Sequence, residues 1–240
     1  MRDTLHLASP KPRMIAHRGV SSLETENTAS AFVAAGNRSY YGIETDVHRT
    51  SDGAFIIIHD DSTRRVAGDD LTVESTTLET LRSLRLMDKD GRRGRRDLML
   101  PTLPEYAGIC RRYDKQAVLE LKNPMAAEDI VRIADILREA GWLERTTFIS
   151  FDLGNLKHIR RMLPEQKAQY LVSEDSPELL PTLLQYHLDL DMYFRVLTEA
   201  RVKELHSHGI EINVWTVDDP ADARRLADWV VDYITSNCVE

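Results

Sequence analysis

Two short stretches of this 240-residue chain carry acids where a β-strand of an α/β protein should be apolar. In Gly42-Ile43-Glu44-Thr45-Asp46-Val47 the two-residue period of a strand puts Glu44 and Asp46 on one face and Ile43, Thr45 and Val47 on the other. In Ala117 to Lys122 the same period pairs Glu120 with Lys122, against Leu119 and Leu121. If the apolar faces are covered by helices, three carboxylates face one interior, where an isolated carboxylate is costly. Oxygen donors without sulfur or imidazole suit a hard divalent cation, Mg²⁺ or Ca²⁺, and disfavour zinc and copper. The competing reading is an internal ion-pair network closed by Lys122.

His17 and Arg18 end the apolar run Arg13 to Arg18, and His59 ends Ala54 to His59. Imidazoles titrate near neutrality, as acid–base catalysts must. A single strand-end histidine is more often structural; two beside three convergent carboxylates favour function. Arg18 and Lys122 suit a phosphate, one by a two-pronged contact and the other as a point charge. Three carboxylates, one divalent cation, a phosphodiester monoanion, Arg18 and Lys122 together carry no net charge, which a partly buried site tolerates.

Strand patterns recur along the chain, at Arg13 to Arg18, Gly42 to Val47, Ala54 to His59, Ala117 to Lys122, Thr146 to Phe151, Lys167 to Val172, Leu188 to Phe194, Glu211 to Val217 and Val231 to Ser236. Helical patterns separate most of them, at Glu26 to Ala35, Ala126 to Ala140, Leu153 to Met162, Thr198 to His208 and Pro220 to Trp229. Such alternation predicts a parallel sheet, and roughly eight units in a chain near the usual size predict a closed (β/α)₈ TIM barrel forming one domain over 1–240. No glycine-rich dinucleotide fingerprint follows the first strand. In a barrel the strand C-termini collect the active site, which is where the acids and histidines fall. Residues 60–114 break the rhythm, with helix patterns at Thr77 to Leu84 and Leu103 to Arg112, and read as an insertion. The sixth unit is weakly marked, since Leu188 to Phe194 is polar for a stave.

The net charge of -8 argues against nucleic acid as a partner, because phosphate backbones are held by clustered cations. Arg92, Arg93, Arg95 and Arg96 read as a solvated loop, and His206 and His208 as structural residues at a helix end. His48 shares the face of Asp46 and its role is open. Cys110 and Cys238 form no metal or disulfide pattern; with no signal-peptide core and no apolar run long enough for a membrane span, the expectation is a cytoplasmic protein.

Taken together, the blocks Ala16-His17-Arg18-Gly19, Glu26-Asn27-Thr28, Gly42 to Gly53 running to His59-Asp60, Pro101-Thr102-Leu103, Leu119-Glu120-Leu121-Lys122, Val214-Trp215-Thr216-Val217 and Ile234-Thr235-Ser236-Asn237 resemble the glycerophosphodiester phosphodiesterases. One departure is Thr25, where that family usually has proline before Glu-Asn-Thr. The resemblance implies a (β/α)₈ barrel and metal ligands at Glu44, Asp46 and Glu120. It implies His17 as base and His59 as acid, phosphate contacts from Arg18 and Lys122, Trp215 beside the glycerol, and an insertion capping the barrel mouth. The expected reaction splits a glycerophosphodiester into sn-glycerol 3-phosphate and an alcohol, through attack by the glycerol 2-hydroxyl and a cyclic phosphate. Its competitors are a lysophospholipase-D-like or phospholipase-like activity on lipid diesters and a non-catalytic phosphate-binding module. The alcohol, the choice of Mg²⁺ or Ca²⁺ and the oligomeric state are not legible.

Overall fold

A computed structural model describes residues 3–7 and 12–240. Eight parallel strands close into a barrel: β1 (Arg13–Ala16), β2 (Gly42–Arg49), then, past β3 (Phe55–Ile57), β4 (Gln116–Leu121), β5 (Thr146–Ser150), β6 (Ala168–Val172), β7 (Asp189–Tyr193), β8 (Ile212–Trp215) and β9 (Tyr233–Ser236). The ring closes because β1 pairs with β9 on one side, Ile15 against Thr235, and with β2 on the other, Ile15 against Gly42.

β3 is not a stave, although the sequence places Ala54 to His59 among the alternating units. It runs antiparallel to the far end of β2, Val47 against Ile57 and Arg49 against Phe55. The connection from Thr50 to Ala54 is far too short for a parallel crossover, which needs a dozen residues or more. The chain therefore climbs out of the barrel on β2, turns at Gly53 (φ +77°) and descends on β3, which returns His59 to the level of the barrel mouth.

The helices are α1 (Ala29–Gly36), α2 (Arg64–Ala67), α3 (Leu78–Ser83), α4 (Leu103–Arg112), α5 (Ala127–Glu139), α6 (Leu153–Met162), α7 (Leu179–Tyr186), α8 (Glu199–Ser207) and α9 (Pro220–Asp228). Most start at a side chain that satisfies an otherwise unpaired backbone amide. Thr28 caps α1, Asp152 caps α6, Thr198 caps α8, and Thr102 with Glu105 makes a reciprocal box at α4. Their apolar faces pack on the outward side chains of the staves, among them Ile43, Leu119, Leu121, Leu190 and Val214, all fully buried. The sixth unit is complete through α7, which the sequence did not suggest: Pro181 looks like a breaker but falls in the first helical turn, where no amide hydrogen is required.

Within 60–114, α4 packs against α1 and α5 as a member of the outer ring. The preceding part encloses a small core of its own, in which Ile56 and Ile58 meet Val66, Val73, Leu81 and Leu98. Inside the barrel, Ile15, Val118, Ile149 and Leu171 form an apolar layer. Polar side chains lie on both sides of it: Gln116, Thr147, Gln169 and Asn213 toward the N-terminal end of the staves, and the acids and histidines at the other.

Candidate active site

β2 sends Glu44 and Asp46 into the mouth, and β4, in register with it, sets Glu120 directly opposite Asp46. All three are buried, and one oxygen from each lies within 4.8 Å of the others. Such convergence of like charge has a visible cost. Burial, and then the charge of Asp46, pushes the Glu44 and Glu120 carboxyls up from their ordinary range. For Asp46 burial acts the same way, but Arg18, Lys122 and His59 together outweigh it and hold it ionised below the usual carboxylate range.

The cations are arranged around this triad rather than within it. Lys122 Nζ donates to Glu120 Oε1 at 2.8 Å and stands 3.6 Å from Asp46 Oδ1. Arg18 donates its backbone amide to Glu44 Oε2 at 2.8 Å and its Nη1 to Glu26 Oε1 at 2.8 Å. Its Nε is buried without a hydrogen-bond partner, as is Asp46 Oδ1. Arg18 reaches this position on a turn that Gly19 (φ +76°) makes possible, since a Cβ on Gly19 would lie 2.6 Å from the backbone of Ala31. Asn27 braces β2 from the same loop, donating to Asp46 Oδ2 and accepting from the Thr45 hydroxyl.

Each histidine has one ring nitrogen tied and the other free. His17 Nδ1 lies 2.8 Å from Asn237 Oδ1, and Asn237 donates its amide to Asp218. That places an acceptor in front of Nδ1, fixes the hydrogen there and leaves Nε2 with a lone pair, 4.0 Å from Glu44. His59 Nδ1 meets Asp60 Oδ1 at 2.7 Å, so its Nε2 is free as well. Asp60 is in turn gripped by Arg65 of α2, which also makes a two-pronged contact with Glu26. Burial, then Arg18, pulls His17 down to about 4. Burial also lowers His59, against the opposing pull of Asp46 and Asp60.

His17, Arg18, Glu44, His59 and Glu120 line one pocket, whose far wall is Phe151 and Trp215. The Trp215 ring meets Phe151 edge-on and Tyr193 at a tilt, each at 5.6 Å between centroids. The site residues expected from the sequence, Asp46 and Lys122 included, thus meet at one mouth. The polar frame behind them, Asn27, Asp60, Arg65 and Asn237, was not singled out; Asn27, Asp60 and Asn237 lie inside the resembling blocks, whereas Arg65 has no local signal.

The residues set aside behave structurally. His206 pairs with Asp232 at 2.9 Å, and Arg93 and Arg95 are engaged by Asp69, Glu24 and Asp97. His48 is buried in the β2–β3 hairpin between Glu74 and the carbonyl of His59.

A profile of the glycerophosphoryl diester phosphodiesterase family matches residues 17–240. The chain belongs to that family. A glycerophosphodiester phosphodiesterase of Caldanaerobacter subterraneus is 29% identical over 95% of this chain and 94% of its own length. Among solved structures, an Oleispira antarctica phosphodiesterase in complex with the product sn-glycerol-3-phosphate is 25% identical, with a TM-score of 0.86 over 97% of this chain and 95% of that one. A glycerophosphodiester phosphodiesterase from Parabacteroides distasonis is 28% identical, with a TM-score of 0.77 over 98% and 94%. Family membership makes the chain a phosphodiester hydrolase, and the buried acidic triad could hold a metal ion. Among the described residues no helix is long and apolar enough to cross a membrane.

Proposed function

We propose that the chain hydrolyses glycerophosphodiesters to sn-glycerol 3-phosphate and an alcohol, with Mg²⁺ or Ca²⁺ held by Glu44, Asp46 and Glu120. The observation that carries this reading is the triad itself: three buried, mutually repelling carboxylates with an unpartnered Asp46 oxygen, beside two histidines that each present a free Nε2. The donor set fits a hard cation. What such a cation supplies is positive charge that acidifies a nearby hydroxyl and offsets the charge of the transition state.

The protein groups do the rest. Arg18 Nε, which makes no hydrogen bond within the protein and stands 3.5 Å from Asp46 Oδ2, and Lys122 Nζ donate to the phosphate oxygens. His17 is the more deeply enclosed imidazole, its side chain 19% exposed against 34% for His59, and its low basicity keeps it neutral and ready to accept a proton. It takes the proton of the glycerol 2-hydroxyl as that oxygen bonds to phosphorus, a nucleophile at an effective concentration of about 10⁵ M or more when aligned. His59, backed by Asp60, is the imidazole that the incoming phosphate charge protonates most readily, and it delivers that proton to the departing alkoxide. Hydrolysis of the cyclic phosphate returns the groups to their starting states. Trp215 takes the glycerol carbons against its ring.

The segment from Asp60 to Pro101 caps the mouth in this reading. It is tied to the rim by Arg65 on Glu26, Thr25 on the Met87 carbonyl and Asn123 on Asp61. The buried free thiols Cys110 and Cys238 suit the reducing cytoplasm expected from the sequence. The Oleispira relative, with sn-glycerol-3-phosphate as its product, supports the substrate class.

The test is turnover of glycerophosphocholine with and without chelator. Release of choline and sn-glycerol 3-phosphate, abolished by chelation and restored by Mg²⁺ or Ca²⁺, is the expected result. Full activity of demonstrably metal-free protein would overturn the metal reading, and no turnover with either cation would overturn the substrate.

A further inference from the structure

Staves β7 and β8 each bring to the mouth pocket a residue with an unsatisfied polar atom: Asp191 Oδ1 and Trp215 Nε1 are both buried without a hydrogen-bond partner, and both residues line the cavity. Asp191 is 1% exposed. Its other oxygen accepts from Asn213 Nδ2 at 3.1 Å, and Asn213 is bound in both directions to the Thr235 hydroxyl, at 3.1 and 3.2 Å. Three neighbouring staves thus fix the carboxyl plane and leave Oδ1 uncommitted.

Asp191 is not a spare member of the acidic triad. β7 stands fourth from β2 whichever way the ring of eight is followed, so Asp191 faces the triad from the opposite wall. Among the described residues it makes no ion pair, and the nearest charge acting on it is Glu120, of the same sign. Burial, and then Glu120, pushes its carboxyl well above the ordinary range. A buried polar atom left unpaired is expensive, and two such atoms on adjacent staves of one pocket match a ligand group that has both a lone pair and a hydrogen to offer. An alcohol hydroxyl is such a group.

We propose that Asp191, together with Trp215 Nε1, binds the terminal glycerol hydroxyl, the one farthest from phosphorus, and thereby selects diesters whose glycerol carries no acyl chain. The inference rests on the glycerophosphodiester reading above, which puts the phosphate at the triad and so directs the far end of the glycerol to this wall. The indole N–H donates to the hydroxyl oxygen while Asp191 Oδ1 takes its hydrogen. An ester at that position has no hydrogen to give, would leave Asp191 unpaired, and would have to thread its chain through a cavity of about 100 Å³.

The experiment compares glycerophosphocholine with its 1-deoxy analogue, in which the terminal CH₂OH is CH₃, and with lysophosphatidylcholine. In wild type, kcat/KM should favour the natural substrate over the 1-deoxy analogue by about 10- to 100-fold, mostly through KM, as expected when buried partners are left unpaired. Asp191→Leu should bring that ratio close to one, while Asp191→Asn, which still offers a donor and an acceptor, should retain most of it. An unchanged ratio in Asp191→Leu, a wild type indifferent to the hydroxyl, or comparable turnover of lysophosphatidylcholine would overturn the proposal. Calorimetric binding of sn-glycerol 3-phosphate and of its 1-deoxy counterpart, with Mg²⁺ present, reads the same preference without turnover, and in wild type alone should Asp191→Leu not fold. A wild type that shows the binding preference but cleaves no diester would refute the catalytic reading and leave Asp191 standing; cleavage without preference would do the reverse.

Discussion

At the N-terminal end of the barrel Lys167 Nζ lies 2.7 Å from Glu211 Oε2 and 3.4 Å from Tyr233 Oη, and the Arg13 guanidinium donates to that same hydroxyl while lying over the Tyr41 and Tyr233 rings. At the C-terminal end Glu44, Asp46 and Glu120 crowd together, with Arg18 and Lys122 spread around them. The residue types are alike and the bookkeeping differs. At the first end most charges find opposite charges or aromatic faces, whereas at the second three acids share two cations and point at one another. An apolar layer of Ile15, Val118, Ile149 and Leu171 lies between the two ends, crossed by the hydrogen bonds of Asn213 to Asp191 and Thr235. The lesson is that ionic content does not mark an active site; uncompensated convergence does.

The largest effect expected is on chemistry at the mouth. His17→Ala and His59→Ala should each lower kcat by about 10²–10⁴ without lowering the thermal midpoint. A nitrophenyl diester, whose leaving group needs no proton, should rescue His59→Ala and not His17→Ala; equal rescue of both would dissolve the assignment of acid and base. Next comes the response to cations. Saturating Mg²⁺ or Ca²⁺, about 100 times its dissociation constant, should add about 2.7 kcal/mol to stability. Asp46→Asn should remove that increment, because an amide at the ionised member of the triad weakens the cation's hold. An undiminished rise in Asp46→Asn would place the cation elsewhere.

At the opposite end Asp189 sharpens the contrast by pH. Burial raises its carboxyl from 3.8 to about 6, against the Glu211 backbone amide, which donates to it and pulls the other way. The folded state then keeps a proton that the unfolded chain gives up, so the favourable contribution of Asp189 is complete below about pH 4 and is lost as pH rises toward 6. Asp189→Asn should flatten this slope and stabilise the protein at pH 7 by about 1–3 kcal/mol, with kcat unaffected. Denaturant unfolding at pH 4 and pH 7 measures it, and a variant with the wild-type slope would contradict it. The smallest effect is at Arg13, where Arg13→Met should cost about 1 kcal/mol through lost contacts with Tyr41 and Tyr233 and leave turnover alone. Loss of activity in Arg13→Met would show that the apolar layer transmits strain.

The fold and the cluster at the barrel mouth were legible because they depend on local periods. Two-residue alternation alone turns Glu44, Asp46, Glu120 and Lys122 inward, and short strands with helical partners imply the barrel. What was not legible depends on pairing across the chain. That the strand at Phe55 folds back on β2 rather than joining the ring was signalled only by the turn at Ser51-Asp52-Gly53, too short for a parallel crossover. The sixth unit was weakly marked because its following strand, Leu188 to Phe194, is polar for a stave, and α7 is short and carries Pro181 in its first turn. Asp191 was visible as a polar residue in a polar strand, but only the structure shows that one of its oxygens is uncommitted and where it faces.

The two histidines owe their placement to very different stretches of chain. His59 is delivered by a hairpin continuous with the stave that carries Glu44 and Asp46, so one uninterrupted segment fixes their relation. His17 takes its tautomer from Asn237, 220 residues further along, on the loop after β9, and β9 joins β1 to shut the ring. Contacts of such sequence separation are the slowest to form, because the loop must close before they gain anything. The hairpin half is therefore expected to form early, and His17 to be oriented only when the last stave docks. If His17 is the base, onset of turnover after dilution from denaturant should coincide with closure of the ring, and turnover that precedes closure would count against that role.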